Sequence, residues 1–185
     1  MGHKNKSMDI ENVLKGRMAE TLVEELLRQS KNVVYRFGYE AIVQNLIQLD
    51  NNYDRKNETG DRIGAMPDFI VIDKKGNPVF VEVKFRWKPE LHEDDYEKLK
   101  KINNLWSAKI IFVNCSEWPY FRVSDPPYID ENHNLILRPL LEETVWEIDE
   151  KLYNKCEELV FKYLTSTSIA NSRDFENNVS LALKE

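Results

Sequence analysis

Cysteine and histidine are scarce in this chain of 185 residues, with two of the first and three of the second. Cys115 and Cys156 stand far apart in sequence, without metal-ligand spacing, which excludes a disulfide framework and a cysteine zinc site. A reducing, cytoplasmic setting is the expectation that follows. His3, His92 and His133 are scattered and form neither a zinc pattern nor a nucleophile–base pair. Long apolar runs are missing too. No stretch of eighteen apolar residues occurs, so no membrane span is expected. The opening residues 1–8 are polar and read as a flexible N-terminus without the apolar core of a signal peptide. Excess positive charge is also absent. The net charge of −6 argues against a protein that coats nucleic acid non-specifically.

Apolar and aromatic residues are plentiful. Hydrophobic residues make up 42% of the chain, with eight Phe, eight Tyr and four Trp, enough for the core of one domain. Charge is uneven along it. Residues 1–90 carry 15 basic and 14 acidic side chains, and residues 91–185 carry 11 and 18. The balances of +1 and −7 permit a local nucleic-acid patch in the first half.

Apolar spacing at Ile10, Val13, Leu14, Met18, Leu22 and Leu26 predicts a helix over residues 8–29. A β-rich run follows at Val33 to Phe37. Residues 41–49 fit a short helix, and the polar stretch from Asp50 to Gly64 reads as a loop in which Arg55, Lys56 and Arg62 could meet phosphates. Residues 93–105 read as a helix and residues 108–114 as a central strand. Tyr120 to Val123 reads as a further, edge strand, followed by a break at Pro126-Pro127. Beyond Pro139 the spacing of Leu141, Val145, Ile148, Leu152, Leu159 and Tyr163 turns helical, as a cover for its own domain or half of a dimer interface. A last short helix is expected near residues 174–183.

The most informative stretch is PDFIVIDKKGNPVFVEVKF, residues 67–85. Two apolar runs flank turn chemistry at Lys75-Gly76-Asn77-Pro78, which predicts a β-hairpin. Strand alternation puts Val81, Val83 and Phe85 on one face and presents Glu82 and Lys84 on the other. Asp68 opens the neighbouring strand and is expected beside Glu82. Two carboxylates held close together repel each other and invite a hard cation such as Mg²⁺. Lys84 at the edge of that site would orient a water or neutralise developing charge. An ordinary hairpin with a solvated Glu82–Lys84 pair explains the alternation equally well.

With Pro67-Asp68 and Glu82-Val83-Lys84 in this order, the chain resembles the PD-(D/E)xK nucleases, the restriction-endonuclease-like superfamily. That family also carries a glutamate on its first helix, a part matched here by Glu20. The pattern Gly16-x-x-Ala19-Glu20 is most similar to the archaeal Holliday-junction resolvase branch. The resemblance covers roughly residues 8–115. It implies an α/β fold, a mixed central sheet flanked by helices, with a nuclease-like core assigned to residues 9–139; the helical spacing beyond Pro139, which the resemblance does not cover, adds a C-terminal helical extension over 140–185. The resemblance also implies a Mg²⁺-dependent endonuclease, with Mn²⁺ as a substitute. Asp68, Glu82 and the Val83 carbonyl would bind metal, Lys84 and Glu20 would complete the catalytic set, and the substrate would be nucleic acid, DNA before RNA. Arg62, Arg86, Trp87 and Lys88 are candidate nucleic-acid contacts. A homodimer would suit cutting two strands. The alternative is a nucleic-acid-binding or assembly protein with the same fold and no turnover; a third is a metal-independent interaction module.

Overall fold

A computed structural model describes residues 10–38, 57–86 and 91–165. Helix α1 (Ile10–Gln29) forms where the apolar spacing predicts a helix, but the face it buries is Ala19, Val23, Leu26 and Leu27, while Ile10, Leu14 and Met18 of the predicted stripe stay exposed. It stops without glycine. Lys31 adopts φ 70°, its N–H donates to the Arg28 carbonyl, and the Asn32 N–H reaches back to Leu27. This 6→1 and 5→2 pair of bonds closes the helix end.

The chain then lays down β1 (Val33–Arg36), the short helix α2 (Glu58–Gly64), β2 (Phe69–Ile72) and β3 (Pro78–Arg86). Helix α3 (Glu93–Trp106), β4 (Lys109–Asn114), β5 (Phe121–Ser124) and β6 (Arg138–Pro139) follow, and α4 (Glu150–Tyr163) closes the series. The six strands form one sheet whose spatial order is the sequence order. Only β3 and β4 run parallel, with Val81 opposite Lys109 and Arg86 opposite Asn114. A parallel pair needs a crossover, and α3 supplies it. The architecture is thus mixed α/β, with a mixed sheet between helices.

Two hydrophobic clusters lie on the two faces of the sheet. The larger gathers Val23 and Leu27 of α1, Val71, Val81, Val83, Ile111 and Val123 of the strands, and Tyr153, Val160 and Leu164 at the chain's far end. The smaller gathers Leu99 and Ile102 of α3 with Ile110, Phe112 and Tyr128. Among the described residues no helix is long and apolar enough to cross a membrane.

The predicted hairpin is present, with Phe69 opposite Val81 and Ile72 opposite Pro78. Asp73 builds its turn: one carboxylate oxygen accepts from the N–H groups of Lys75 (2.8 Å) and Asn77 (2.7 Å), and Gly76 takes φ +88°.

Three expectations are corrected. The polar loop expected over 50–64 ends as helix α2, capped by Asn57, whose side chain accepts the Gly60 N–H. Strand β5 is not an edge, because Arg122 and Val123 pair with Pro139 and Arg138. The edge passes to β6, where a proline that lacks an N–H costs least. Beyond Pro139 a single 3₁₀ turn (Leu140–Glu142) appears, and α4 starts only at Glu150. The Glu143 carboxylate accepts the N–H groups of Thr144 and Val145, which competes with helix formation. Asn32 and Ser30 then bond the backbone of Glu147 and Asp149, so this segment is stitched to the α1–β1 turn. The short helices expected at 41–49 and 174–183 lie outside the described residues.

Candidate functional site

Strand β3 is nine residues long and β2 only four, so the ladder between them ends at Phe69–Val81. Beyond that point Asp68 takes over. Its Oδ2 accepts the Val83 N–H at 2.7 Å, so the side chain satisfies a backbone donor that β2 is too short to reach. On its other flank, the N–H groups of Phe37 and Gly38 both donate to the Asp68 carbonyl, at 2.8 and 3.1 Å. Asp68 is therefore clamped between the end of β1 and the free length of β3.

Alternation along β3 separates Glu82 and Lys84 from Val81 and Val83, as expected. The Glu82–Lys84 face is closed off from solvent in large part. Glu82 is only 8% exposed, and the Lys84 ammonium lies against its carboxylate in a half-buried ion pair. A fully solvated surface pair is not what forms. Glu20 approaches from α1, half-buried, and its charge is felt at Asp68. The four side chains singled out in the sequence, Glu20, Asp68, Glu82 and Lys84, thus come together as one electrostatic group.

The electrostatics follow from that crowding. Burial pushes the Asp68 carboxyl up to about 8, with the Glu82 charge adding to it and Glu20 contributing further. The Val83 N–H and Lys84 pull the other way without prevailing. Burial works against the Lys84 ammonium, but the Glu82 and Asp68 carboxylates outweigh it and hold the amine above its ordinary value.

Two neighbours went unrecognised in the sequence. Arg36 at the end of β1 donates to the Glu24 carboxylate through Nε (2.9 Å) and Nη2 (2.5 Å). Arg28 reaches the same carboxylate at 3.0 Å. Glu24 is 5% exposed and ties the edge strand to α1. That bond, reinforced by the charges of Glu24 and Glu20, raises the Arg36 pKa. The second neighbour is Gly38. A Cβ there would sit 3.4 Å from the Asp68 Cα and 3.7 Å from its Oδ1. The signal was Arg36-Phe37-Gly38, a cation and a glycine ending a strand.

No protein-family model matches this chain, and no curated protein matches it either. The site's own geometry therefore carries the functional argument.

The candidate nucleic-acid contacts separate. Arg62 is exposed on α2, 3.4 Å from Glu58. Arg86 is engaged with Asp95 at 2.8 Å, which pins the end of β3 to the first turn of α3. Trp87 and Lys88 lie outside the described residues. A groove of about 300 Å³ opens between α3 and residues 127–133, lined in part by Tyr96, Lys100, Asn103 and His133. None of the clustered carboxylates lines it. Cys115 and Cys156 are both buried in the larger core, and burial pushes their thiols up to about 12 and about 11.

Proposed function

We propose that the chain is a metal-dependent nuclease of the PD-(D/E)xK kind that hydrolyses phosphodiester bonds, in DNA by first preference. The observation that carries this reading is the placement of Asp68, whose Oδ2 accepts the Val83 N–H at 2.7 Å next to the Glu82–Lys84 ion pair, where burial and the charges of Glu82 and Glu20 raise its carboxyl. A protein that crowds carboxylates this way lowers their mutual repulsion by binding a proton or a cation.

The donor chemistry fits a hard divalent ion such as Mg²⁺. Among the described residues no three His, Cys, Asp or Glu form a ready metal cage. Mg²⁺, however, is commonly held by one or two carboxylates with water and substrate phosphate completing the shell. Asp68 and Glu82 would supply those carboxylates, with the Val83 carbonyl as a backbone ligand. Such an ion, when bound, lowers the pKa of a water and offsets charge on a phosphoryl oxygen.

The chain's own residues have separable roles. Asp68 is pre-positioned by the Val83 N–H and by the β1 end. Lys84 holds its proton and carries positive charge beside Glu82, where it would stabilise negative charge building on the scissile phosphate. Glu20 completes the acidic group from the helix side. The restriction-endonuclease-like arrangement of these elements belongs to the same proposal.

The test is cleavage of supercoiled plasmid, single strands, flaps, a four-way junction and RNA in Mg²⁺, Mn²⁺ or EDTA. Wild type is expected to cut DNA only with metal. Asp68→Ala and Glu82→Ala are each expected to lose at least about a hundredfold, the scale of removing one preorganised charge-stabilising group. Cutting at wild-type rate by either variant would sink the site assignment. Metal binding without cutting of any substrate would instead favour the binding protein that keeps the fold.

A further inference from the structure

Helix α1 outruns the sheet it lies on. Its 20 residues span about 30 Å, whereas β1 and β2 have four residues each, roughly 13 Å. From Ala19 onward the helix feeds the core, and residues 10–18 bury no side chain fully. In that projecting half Ile10 is 75% exposed, Leu14 56% and Met18 40%, one stripe with a spacing of four residues. So short a helical segment has little stability of its own, and most helical stability comes from covering such a stripe.

Helix α4 leads the chain back to this projecting half. The Asp149 N–H donates to the Ser30 Oγ at 2.9 Å, so α4 starts where α1 stops. Strands β1, β3 and β4 all run away from that end of the sheet. Farther along α4, Glu157 accepts the N–H groups of Tyr120 and Phe121, and Phe121 pairs with Val113 near the far end of β4. The two helices are therefore antiparallel. Asp149 to Thr165 is the same count of residues as Leu14 to Ser30, so Thr165 comes level with Leu14. In keeping with this, the Cys115 thiol feels both the Lys15 charge from α1 and the Glu157 charge from α4. Thr165 itself is still held, with its N–H on the Val160 carbonyl at 3.2 Å. The chain beyond it sets out beside the middle of the stripe.

We infer that the stripe is the seat of the chain's own C-terminal segment, residues 174–183, laid along Ile10, Leu14 and Met18. That segment lies outside the described residues. Its sequence carries Phe175, Val179 and Leu183, the same spacing of four as the stripe. Rows of residues four apart, packed into one another, make the commonest helix–helix contact. The intervening residues 166–173 reach up to about 27 Å when extended. The stripe from Ile10 to Met18 is only about 12 Å long, so the connector spans it. A segment tethered this close acts at roughly millimolar effective concentration, which favours it over a free second copy or another protein. Helical rotation of about 100° per residue sets Lys15 and Met18 toward α4 and Glu20 on the other flank, so the docked segment leaves Glu20 uncovered. The docking does not depend on the nuclease reading.

Hydrogen exchange of the full chain, followed at the amides of residues 10–18, tests this. Val179→Asp changes no residue of α1, yet it should speed their exchange at least about tenfold, the scale of one lost apolar contact of this size. The amides of β3 and β4 should exchange equally in both proteins, which shows that the fold is kept. Position is read by cross-linking. Leu14→Cys combined with Val179→Cys should oxidise to a disulfide within one chain, identified by intact mass. Glu25→Cys combined with Val179→Cys should not, because Glu25 lies three turns along α1 from the stripe's centre. Equal exchange of residues 10–18 in wild type and Val179→Asp overturns the inference. So do disulfides that form only between two chains or as readily at position 25, and so does protection that grows with protein concentration, the mark of a second copy on the stripe.

Discussion

Asp68 performs two tasks that pull against each other. Its carboxylate satisfies the Val83 N–H, which favours the ionised form, while burial and Glu82 disfavour it and win. Because the folded carboxyl titrates near 8 and its ordinary value is 3.8, the native state holds a proton that the unfolded chain has lost between those limits. Metal-free stability must then fall as pH rises from about 4 to about 8, because the native state binds more protons there. Each unit of displacement is worth about 1.4 kcal/mol at most, so the loss is on the order of a few kcal/mol. Asp68→Asn keeps an acceptor for Val83 and removes the charge. Urea unfolding in EDTA is expected to show wild type losing stability between pH 5 and pH 8.5 relative to Asp68→Asn, which gains the advantage at the alkaline end. Burial also raises Glu157, but both proteins share that slope, so their difference isolates Asp68. Added Mg²⁺ should stabilise wild type alone at the alkaline end. Parallel pH curves for the two proteins would remove the electrostatic basis of the site. The residue pattern alone singled out Asp68, Glu82 and Lys84 as neighbours, because strand alternation and turn chemistry are local. It did not reveal Arg36 or Gly38, whose meaning depends on β1 lying against β2 and α1.

At the scale of elements, local signals were readable wherever one residue type carries the geometry. Gly76 marks its turn because only glycine takes φ +88° without cost. The same five-residue turn recurs, unrecognised, at residues 130–134. Asp130 accepts the N–H groups of Asn132 and Asn134 at 2.8 Å each, as Asp73 does for Lys75 and Asn77. There His133 occupies the left-handed position with φ 64°, so the glycine that advertises the first turn is missing from the second. The shared Asp-x-x-x-Asn spacing could have found it. Lys31 hides the end of α1 in the same way. These positions give opposite expectations. Gly76→Ala should cost about 1 kcal/mol, and Lys31→Gly should stabilise by a similar amount, since a side chain in the left-handed region costs roughly 1–2 kcal/mol. Chemical denaturation at fixed pH reads both. Equal signs for the two variants would contradict the assigned backbone conformations.

At the scale of the whole molecule, the segment expected as a C-terminal extension is wired into the sheet. Trp146, Tyr153, Val160 and Leu164 are each no more than 1% exposed and belong to the same cluster as Val23 of α1 and Val83 of β3. The Glu157 carboxylate accepts the N–H groups of Tyr120 and Phe121 at 2.9 and 3.1 Å. It thereby satisfies backbone donors at the start of β5. Glu143 does similar work with Lys109 and Arg138, joining the 3₁₀ turn to β4 and β6. Sequence periodicity showed an amphipathic pattern here but could not show what covers it, because a stripe of apolar residues looks the same against its own sheet or a second chain. The structure assigns α4 to its own sheet. A core shared this way should unfold as one unit. Val160→Ala removes two methyl groups from a fully buried position and should cost about 1–3 kcal/mol, by transfer and cavity terms. The decisive measurement is coincidence. Far-UV circular dichroism, tryptophan fluorescence and, if the chain cuts DNA, loss of cleavage after denaturant exposure should give the same midpoint in wild type and the same lower midpoint in Val160→Ala. A first transition that releases α4 while Asp68 and Glu82 stay folded and active would make it an appendage. The buried bonds from Glu157 into β5 argue against that, because parting the helix from the sheet would strip two backbone N–H groups of their acceptor within the core.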